Sequence, residues 1–170
     1  MQTEIINKVA SSGLVTIDLE EYYPKGIRKQ LDLKDILFQG LILLEKDLKE
    51  YISNTNFGDF KDAYVNIFCS ADAVIPTWAY MLLTVHLQPY ATKIVYGNAE
   101  QLEAVLFDEI LQKLDAEKYT DAKIVIKGCG NLPVPIHAYV AFTEKLKPYA
   151  KSIMYGEPCS TVPLYKKPKM

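Results

Sequence analysis

Two stretches of this sequence, Asp62-Ala-Tyr-Val-Asn-Ile-Phe68 and Asp121-Ala-Lys-Ile-Val-Ile-Lys127, open segments that align with each other without a gap. The segments cover residues 62–97 and 121–156 at a constant offset of 59, and 14 of the 36 aligned positions are identical. A repeat of this length indicates one supersecondary unit that is used twice. We therefore interpret the chain as an internal duplication.

Each segment has the pattern of a strand, a helix and a second strand. A β-branched run opens it, and Pro76 or Pro135 follows, where the first turn of a helix tolerates proline because no amide donor is needed there. Second strands are predicted at 92–96 and 151–155, each closed by a glycine. A crossover of this length predicts parallel, right-handed pairing of the two strands.

The remaining sequence continues the alternation of strands and helices. Residues 13–19 predict a strand, Asp32 predicts the N-cap of a helix with apolar positions as far as Ile52, and Asn98 predicts the cap of another helix. This order predicts an α/β fold, a mostly parallel sheet with helices on both faces. We expect one domain over 1–170, with residues 157–170 as an extended C-terminal tail.

The predicted helix over 76–88 has no acidic or basic residue except His86, whereas its twin carries Glu144, Lys145 and Lys147. A helix that is apolar nearly all round is usually buried on all sides. We therefore predict a homodimer that buries this helix, and the alternative is that the C-terminal tail covers it within one chain. The predicted interface residues are Trp78, Tyr80, Met81, Leu82 and Val85.

Composition argues against several classes of function. Nineteen Lys and Arg against 21 Asp and Glu give a net charge of −2, so there is no basic field to hold a nucleic acid. The N-terminus lacks a signal-peptide pattern, and no apolar run approaches the ~18 residues of a membrane span. Three cysteines without a disulfide spacing favour a reducing compartment. We predict a cytoplasmic protein that binds neither nucleic acid nor membranes.

Ligands of open parallel sheets bind at the carboxyl ends of the strands, and all three cysteines are predicted there. The sharpest feature is Gly128-Cys-Gly130, which leads into a helix that contains His137. A helix N-terminus and an imidazolium both stabilise a thiolate, so Cys129 is a candidate reactive thiol, although a buried cysteine is more often an inert core residue. The candidate ligand or thiol site consists of Cys69, Ser70, Asp72, Cys129, Asn131, His137 and Cys159.

A metal site is a second interpretation of the same residues. Thiolates of Cys69, Cys129 and Cys159 with His137 as a fourth ligand suit zinc or an iron–sulfur cluster, but paired ligands such as C-x-x-C are missing. Ser70, Asp72 and Asn131 are alternatively helix caps. The carboxylates Asp18, Glu20 and Glu21, which follow the first strand, are interpreted as solvated loop charges.

The sequence resembles a known family of unknown function. The segments Cys69-Ser-Ala-Asp-Ala-Val-Ile-Pro-Thr-Trp-Ala-Tyr80 and Tyr155-Gly-Glu-Pro-Cys-Ser-Thr-Val-Pro163 are similar to the DUF2480 family, and the resemblance covers essentially the whole chain. It implies no activity, because that family has no established reaction. The β-α-β units also look like those of STAS-type regulatory domains, an analogy of fold that assigns no function.

Two functions stay open at this point. The first is a non-catalytic homodimeric binding or adaptor protein, which predicts cysteines of ordinary reactivity. The alternative is a thiol- or metal-dependent protein that handles sulfur or an iron–sulfur intermediate through Cys129, with Cys69, Cys159 and His137 around it. It predicts bound metal or a low thiol pKa that is lost in Cys129→Ser.

Overall fold

The computed structural model describes residues 13–128 and 130–168. Contacts divide these residues into two compact units. The central unit runs from Lys25 to Val105, and the terminal unit combines residues 13–24 with the described residues from Leu106 onward. The expectation of one domain over 1–170 stays a prediction.

Strands and helices are interleaved along the described residues, as the sequence predicted, but at each end two strands follow each other without an α-helix between them. In chain order they are β1 (Leu14–Asp18), β2 (Ile27–Asp32), α1 (Glu45–Asn54), β3 (Ala63–Phe68), α2 (Thr77–Leu87), β4 (Lys93–Tyr96), α3 (Ala99–Lys113), β5 (Lys123–Lys127), α4 (Ile136–Leu146), β6 (Ser152–Glu157) and β7 (Ser160–Lys166). Short 3-10 helices follow β1 at Leu19–Tyr22 and β2 at Leu33–Ile36.

The strands form two sheets and not one. In the central unit the order is β2-β3-β4, all parallel. In the terminal unit the order is β1-β5-β6-β7, in which β7 alone is antiparallel. The predicted α/β class with mostly parallel pairing is confirmed, and the prediction of a single sheet is wrong. Each repeat pairs with its own N-terminal strand, β3 with β2 and β5 with β1, so each builds its own sheet.

Each unit has its own apolar core. The core residues alternate along the strands and follow helical spacing along the helices. In the central unit the strand residues Ala63, Val65 and Ile67 pack with Leu83 and other residues of α2. In the terminal unit the buried residues of β5 and α4 do the same, among them Ile124, Ile126, Ala138, Phe142 and Leu146. Burial of alternate strand residues against one face of a helix is what these two patterns predict.

Helices cover both faces of the central sheet. On the face opposite Val65, the Arg28 guanidinium of β2 forms a bidentate ion pair with the Glu103 carboxylate of α3, at 2.8 and 3.0 Å. The predicted cap of α3 is confirmed, because the Gln101 amide donates to Asn98 Oδ1 at 3.0 Å. The Asn98 amide returns a bond to Gln101 Oε1 at 2.8 Å, which completes a capping box.

The two repeats have matching local structure at the offset of 59. Helices α2 and α4 begin and end at equivalent residues, and both units place an aspartate, Asp62 or Asp121, at a positive φ of 57° or 56° before the first strand. The rings of Tyr80 and Tyr96 meet edge to face, as do those of Tyr139 and Tyr155. These are matches of conformation, and the common origin of the repeats stays a prediction.

Two local predictions differ from the structure. The long helix expected after Asp32 is a 3-10 turn at Leu33–Ile36, and α1 begins only at Glu45. Gln39 and Gly40 have φ values of 52° and 71°, a left-handed backbone that an α-helix cannot contain, so apolar spacing alone misled the prediction. Each helical proline is the N-cap residue, one position before the predicted first turn, a difference within the usual uncertainty of helix ends.

Candidate functional site

The loop that follows β3 is held by a carboxylate from β2. Asp32, the last residue of β2, accepts hydrogen bonds from the Ser70 amide at 3.0 Å and from the Ser70 hydroxyl at 2.6 Å. The same carboxylate accepts from the Lys34 amide at 3.0 Å, which caps the short helix after β2. Parallel pairing of β2 with β3 puts both strand ends at one edge of the sheet, which is why these groups meet.

This arrangement favours the ionised form of Asp32. Partial burial opposes ionisation, but the bonds from Ser70 and Lys34 and the nearby Lys34 charge outweigh it, so the pKa of Asp32 lies below its usual value. Asp32 is therefore a fixed anion that orients the loop.

A small polar cavity lies at the carboxyl ends of β3 and β4. Its volume is about 300 Å³. The half-buried thiol of Cys69 lines it and is 3.7 Å from the Ala71 carbonyl oxygen. The other lining residues are Phe68, Ala73, Tyr80, Tyr96, Gly97, Asn98 and Gln101. The structure thus places Cys69 beside two tyrosines and the capped start of α3.

A larger cleft, which we call the central cleft, adjoins this cavity through Ala73, Tyr80 and Tyr96. Its volume is about 740 Å³, and Ile75, Thr77, Met81, Thr84 and Val85 complete the lining. The two tyrosine rings lie 4.9 Å apart between centroids. Burial raises the pKa of Tyr80, and the neighbouring Tyr96, Cys69 and Asp32 add to that, so its hydroxyl is a neutral hydrogen-bonding group.

The terminal unit holds the loop after β5 in a different way. There the Glu20 carboxylate accepts from the backbone amides of Gly130 and Leu132, at 2.5 and 3.4 Å. Asp18 instead pairs with Lys127 at 3.1 Å, and Glu157 lies 3.7 Å from the same ammonium group. The interpretation of Asp18 and Glu20 as solvated loop charges is therefore wrong, because both hold neighbouring groups in place.

A second apolar cleft, which we call the terminal cleft, occupies the equivalent place in this unit. Its volume is about 550 Å³. Tyr139 and Tyr155 flank it, with ring centroids 5.9 Å apart. The other described lining residues are Ile126, Gly128, Gly130, Leu132, Pro133, Val134, Ile136, Thr143 and Leu164. The described linings of both clefts consist of apolar side chains, glycine, and the hydroxyls of tyrosine and threonine.

The structure brings only some of the predicted site residues together. Cys69 and Ser70 are adjacent at the polar cavity, whereas Asp72 is exposed beyond it. His137 is exposed, and its Nε2 is 2.7 Å from Asp108 Oδ1 of α3. Cys159 is exposed in the turn between β6 and β7.

Cys129, the principal residue of the predicted thiol site, lies outside the described residues. The prediction that Ser70, Asp72 and Asn131 cap helices is wrong. Pro76 and Pro135 occupy the N-cap positions of α2 and α4, and neither helix has a side-chain cap.

Comparison with known families assigns the chain. A family model described as a protein of unknown function, DUF2480, matches residues 3–167. The chain belongs to the DUF2480 family. No curated protein and no solved structure matched this DUF2480 chain.

Within residues 13–128 and 130–168, no three His, Cys, Asp or Glu side chains are grouped so that they could hold a metal ion. Cys69 belongs to the central unit, and His137 and Cys159 belong to the terminal unit. None of the helices in these residues is long and apolar enough to span a bilayer.

Sequence reasoning missed the residues that shape the site of this DUF2480 protein. Asp32 is predicted as a helix cap but not as the partner of Ser70, Tyr80 is predicted only as an interface residue, and Tyr96 is not singled out. One signal was available: Ile17-Asp18-Leu19 and Leu31-Asp32-Leu33 repeat the same pattern at the ends of β1 and β2. An aspartate at the end of a strand beside each repeat indicates a carboxylate at the ligand-binding edge.

Proposed function

We propose that this DUF2480 protein is a non-catalytic, homodimeric binding or adaptor protein whose copies associate through the exposed face of α2. The observation that carries this proposal is the apolar stripe on that helix. Trp78, Met81 and Val85 are 39%, 65% and 67% exposed. The opposite face, which includes Leu83 and Leu87, is fully buried. The described residues of one chain thus cover the helix on one side, and the burial on all sides that the sequence predicts requires the proposed second copy.

The stripe continues into neighbouring loops of the central unit. Ile42 forms a β-bridge with Val74, which places the loop before α1 beside the loop before α2. Leu41, Ile42 and Val74 are 61%, 56% and 89% exposed. We call these three residues together with Trp78, Met81 and Val85 the α2 surface. Contiguous exposed apolar side chains of this kind usually mark an interaction site.

A second copy of the chain fits this surface. The six residues of the surface carry no charge, and Glu45, which lines the same depression as Trp78, Met81 and Val85, is paired with Lys49 at 2.6 Å. Six large side chains that are 39–89% exposed present several hundred Å², the same order as the ~800 Å² that one partner contributes to a standard interface. Of the predicted interface residues, Tyr80 and Leu82 are half-buried, and both lie beside the exposed stripe.

A binding role agrees with the chemistry of the two clefts. Their described linings hold no carboxylate, imidazole or ammonium group that could act as a general acid or base. Apolar walls with a few hydroxyl groups are typical of sites that bind and orient a ligand. The thiol or metal alternative stays a prediction, because its principal residue, Cys129, lies outside the described residues.

The test is the mass of the particle in solution, measured by light scattering after gel filtration. We expect the wild-type chain to have twice its 19.3 kDa mass. Met81→Glu should be monomeric, because each copy of the dimer would bury an uncompensated carboxylate.

Val140 is the matched control, since it occupies the equivalent position on α4 and is 62% exposed against 65% for Met81. Val140→Glu should leave the dimer intact. A wild-type chain that is monomeric at every accessible concentration, or equal effects of the two variants, would refute association through α2.

A further inference from the structure

The two sheets differ at one equivalent edge. In the terminal unit β7 pairs antiparallel with β6, so β6 lies between β5 and β7. In the central unit the equivalent strand is β4, which among the described residues pairs with β3 alone. An edge strand offers backbone donors and acceptors that can pair with an added strand.

Side-chain exposure differs between the two strands in the same way, within the described residues. Tyr155 of β6 is 37% exposed, whereas its equivalent Tyr96 on β4 is 68% exposed. Ile153 is fully buried, and its equivalent Ile94 is only partly buried. The exposed faces of the two helices show no such difference, because Val140 and Met81 are almost equally exposed at 62% and 65%. The excess exposure therefore follows the side where β7 lies in the terminal unit.

The terminal cleft beside β6 and the central cleft beside β4 also differ at this edge. Leu164 of β7 is one wall of the terminal cleft, beside Tyr139 and Tyr155. In the central cleft Tyr80 and Tyr96 take the equivalent places, and the described lining comes from α2, β4 and the loop before α2, with no residue from a strand beyond β4. The central cleft is larger, about 740 Å³ against about 550 Å³. Met81 and Val85 of α2 line the central cleft, whereas β7 contributes Leu164 to the terminal cleft.

We propose that β4 accepts an extended segment of another protein as an antiparallel fourth strand, with an apolar side chain of that segment entering the central cleft. Strand addition at a sheet edge combines main-chain hydrogen bonds with pockets for alternate side chains. The proposal names the kind of partner that the proposed binding role requires. It rests on that role, and the central cleft shares Met81 and Val85 with the α2 surface.

The pairing of β6 with β7 predicts the direction in which the added strand runs and the residues that it needs. There Gly156 is opposite Thr161 and Tyr155 is opposite Val162. Transferred to β4 at the offset of 59, the partner segment begins near Asn98 and runs toward Lys93. It carries an apolar residue opposite Tyr96 and a second one two positions later, which takes the role of Leu164. A Thr-Val-Pro-Leu-Tyr type of segment meets this requirement.

A second copy of β4 fits this edge less well. Antiparallel pairing of two four-residue β4 strands would direct only Ile94 and Tyr96 toward the α2 side. Ile94 already packs in the central core, and Tyr96 already packs against Tyr80. The cleft would then receive no equivalent of Leu164. The β7 strand is engaged with β6 in its own chain, so it is not available from within the described residues, and a separate polypeptide is the fitting occupant.

The test uses a fluorescent synthetic peptide with the sequence of residues 158–168, in which serine replaces the cysteine, added to the full chain. We expect saturable binding, measured by fluorescence anisotropy, and changes in amide NMR signals concentrated at residues 93–98. A peptide with aspartate in place of its leucine should bind at least about tenfold more weakly, because a carboxylate does not enter an apolar cleft.

Two matched protein variants separate this model from strand exchange at β6. Tyr96→Ala should weaken peptide binding about tenfold or more, whereas the equivalent Tyr155→Ala should not, and circular dichroism checks that both are folded. Absence of saturable binding, or weakening by Tyr155→Ala alone, would overturn the proposal. The particle mass measured on the same samples reports dimerisation separately. A monomer that binds the peptide refutes only the dimer, and a dimer that does not bind it refutes only the strand acceptor.

Discussion

Asp32 shows how one side chain connects local structure with the candidate site. Its carboxylate caps the short helix after β2 through the Lys34 amide and holds the loop after β3 through Ser70. Cys69, which precedes Ser70, lines the polar cavity. A single charge therefore fixes the loop that carries the one cysteine of the central unit.

Removing this carboxylate should destabilise the protein measurably at neutral pH. Asp32→Ala is expected to lower the free energy of unfolding by about 1–3 kcal/mol, since it removes charged hydrogen bonds and a cap. The folded-state pKa of Asp32 is lowered, so its contribution is present above the unfolded pKa of ~3.9 and is lost as the pH falls through the folded value. Urea unfolding at pH 7 and below pH 3 measures both effects.

Asp72 provides the comparison, because it is exposed on the same loop. Asp72→Ala should change the free energy of unfolding by no more than ~0.5 kcal/mol. Equal effects of the two substitutions, or an Asp32→Ala deficit that persists undiminished at low pH, would contradict this role for Asp32.

At the scale of elements, the attachment of α3 to β2 explains a strand that the sequence did not reveal. Arg28, Lys29 and Gln30 place three polar residues in succession within β2, which hides the alternation that predicts a strand. The structure compensates for the charge of Arg28 with the Glu103 carboxylate, whose side chain is only 10% exposed. Helix α3 thus supplies the carboxylate that pairs with Arg28, so a charged residue of β2 can lie on the sheet face that this helix covers.

This ion pair should contribute to stability because it is bidentate and mostly shielded from water. Glu103→Ala is expected to lower the free energy of unfolding by about 1–3 kcal/mol, as it leaves a partly buried guanidinium without its carboxylate. Thermal and urea denaturation measure the loss.

The Glu45 and Lys49 pair on α1 is the control, since both of its side chains are 65% exposed. Glu45→Ala should have no measurable effect, because solvent screens a surface pair. A null effect of Glu103→Ala would show that the Arg28 charge finds equal compensation elsewhere.

At the scale of the whole molecule, each of the two similar segments contributes strands to its own sheet. Their helices, α2 and α4, begin and end at equivalent residues. The exposed faces of those helices differ. Glu144 and Lys147 interrupt the apolar surface of α4, whereas α2 continues with Val85. This difference is the basis for assigning self-association to α2.

The proposed association should therefore be insensitive to ionic strength. Raising NaCl from about 0.1 M to about 1 M shortens the Debye length from ~10 Å to ~3 Å, which weakens charge pairs but not apolar burial. We expect the dimer dissociation constant from sedimentation equilibrium to stay the same or fall. Met81→Leu should dimerise as the wild type does, and dissociation at high salt would contradict an apolar interface.

Much of the element pattern was predictable, because it is local. The strands β3 and β5 and helices α2 and α4 follow from β-branched runs, helical spacing and prolines in the residues themselves. The cap at Asn98 follows from a polar side chain three positions before a glutamine. The predicted helix after Asp32 was wrong, because a left-handed backbone at Gln39 and Gly40 interrupts an apolar spacing that looks continuous in the sequence.

Residue order alone is enough to predict the α/β class and to identify the family, and it shows two similar segments at an offset of 59. Three features of the described residues appear only in the folded structure: the strands form two sheets, Asp32 contacts Ser70, and β7 flanks β6 while β4 stays at an edge. These features depend on which strand pairs with which over separations of tens of residues. Two strands of similar composition can satisfy the same pattern, and only long-range packing selects between them.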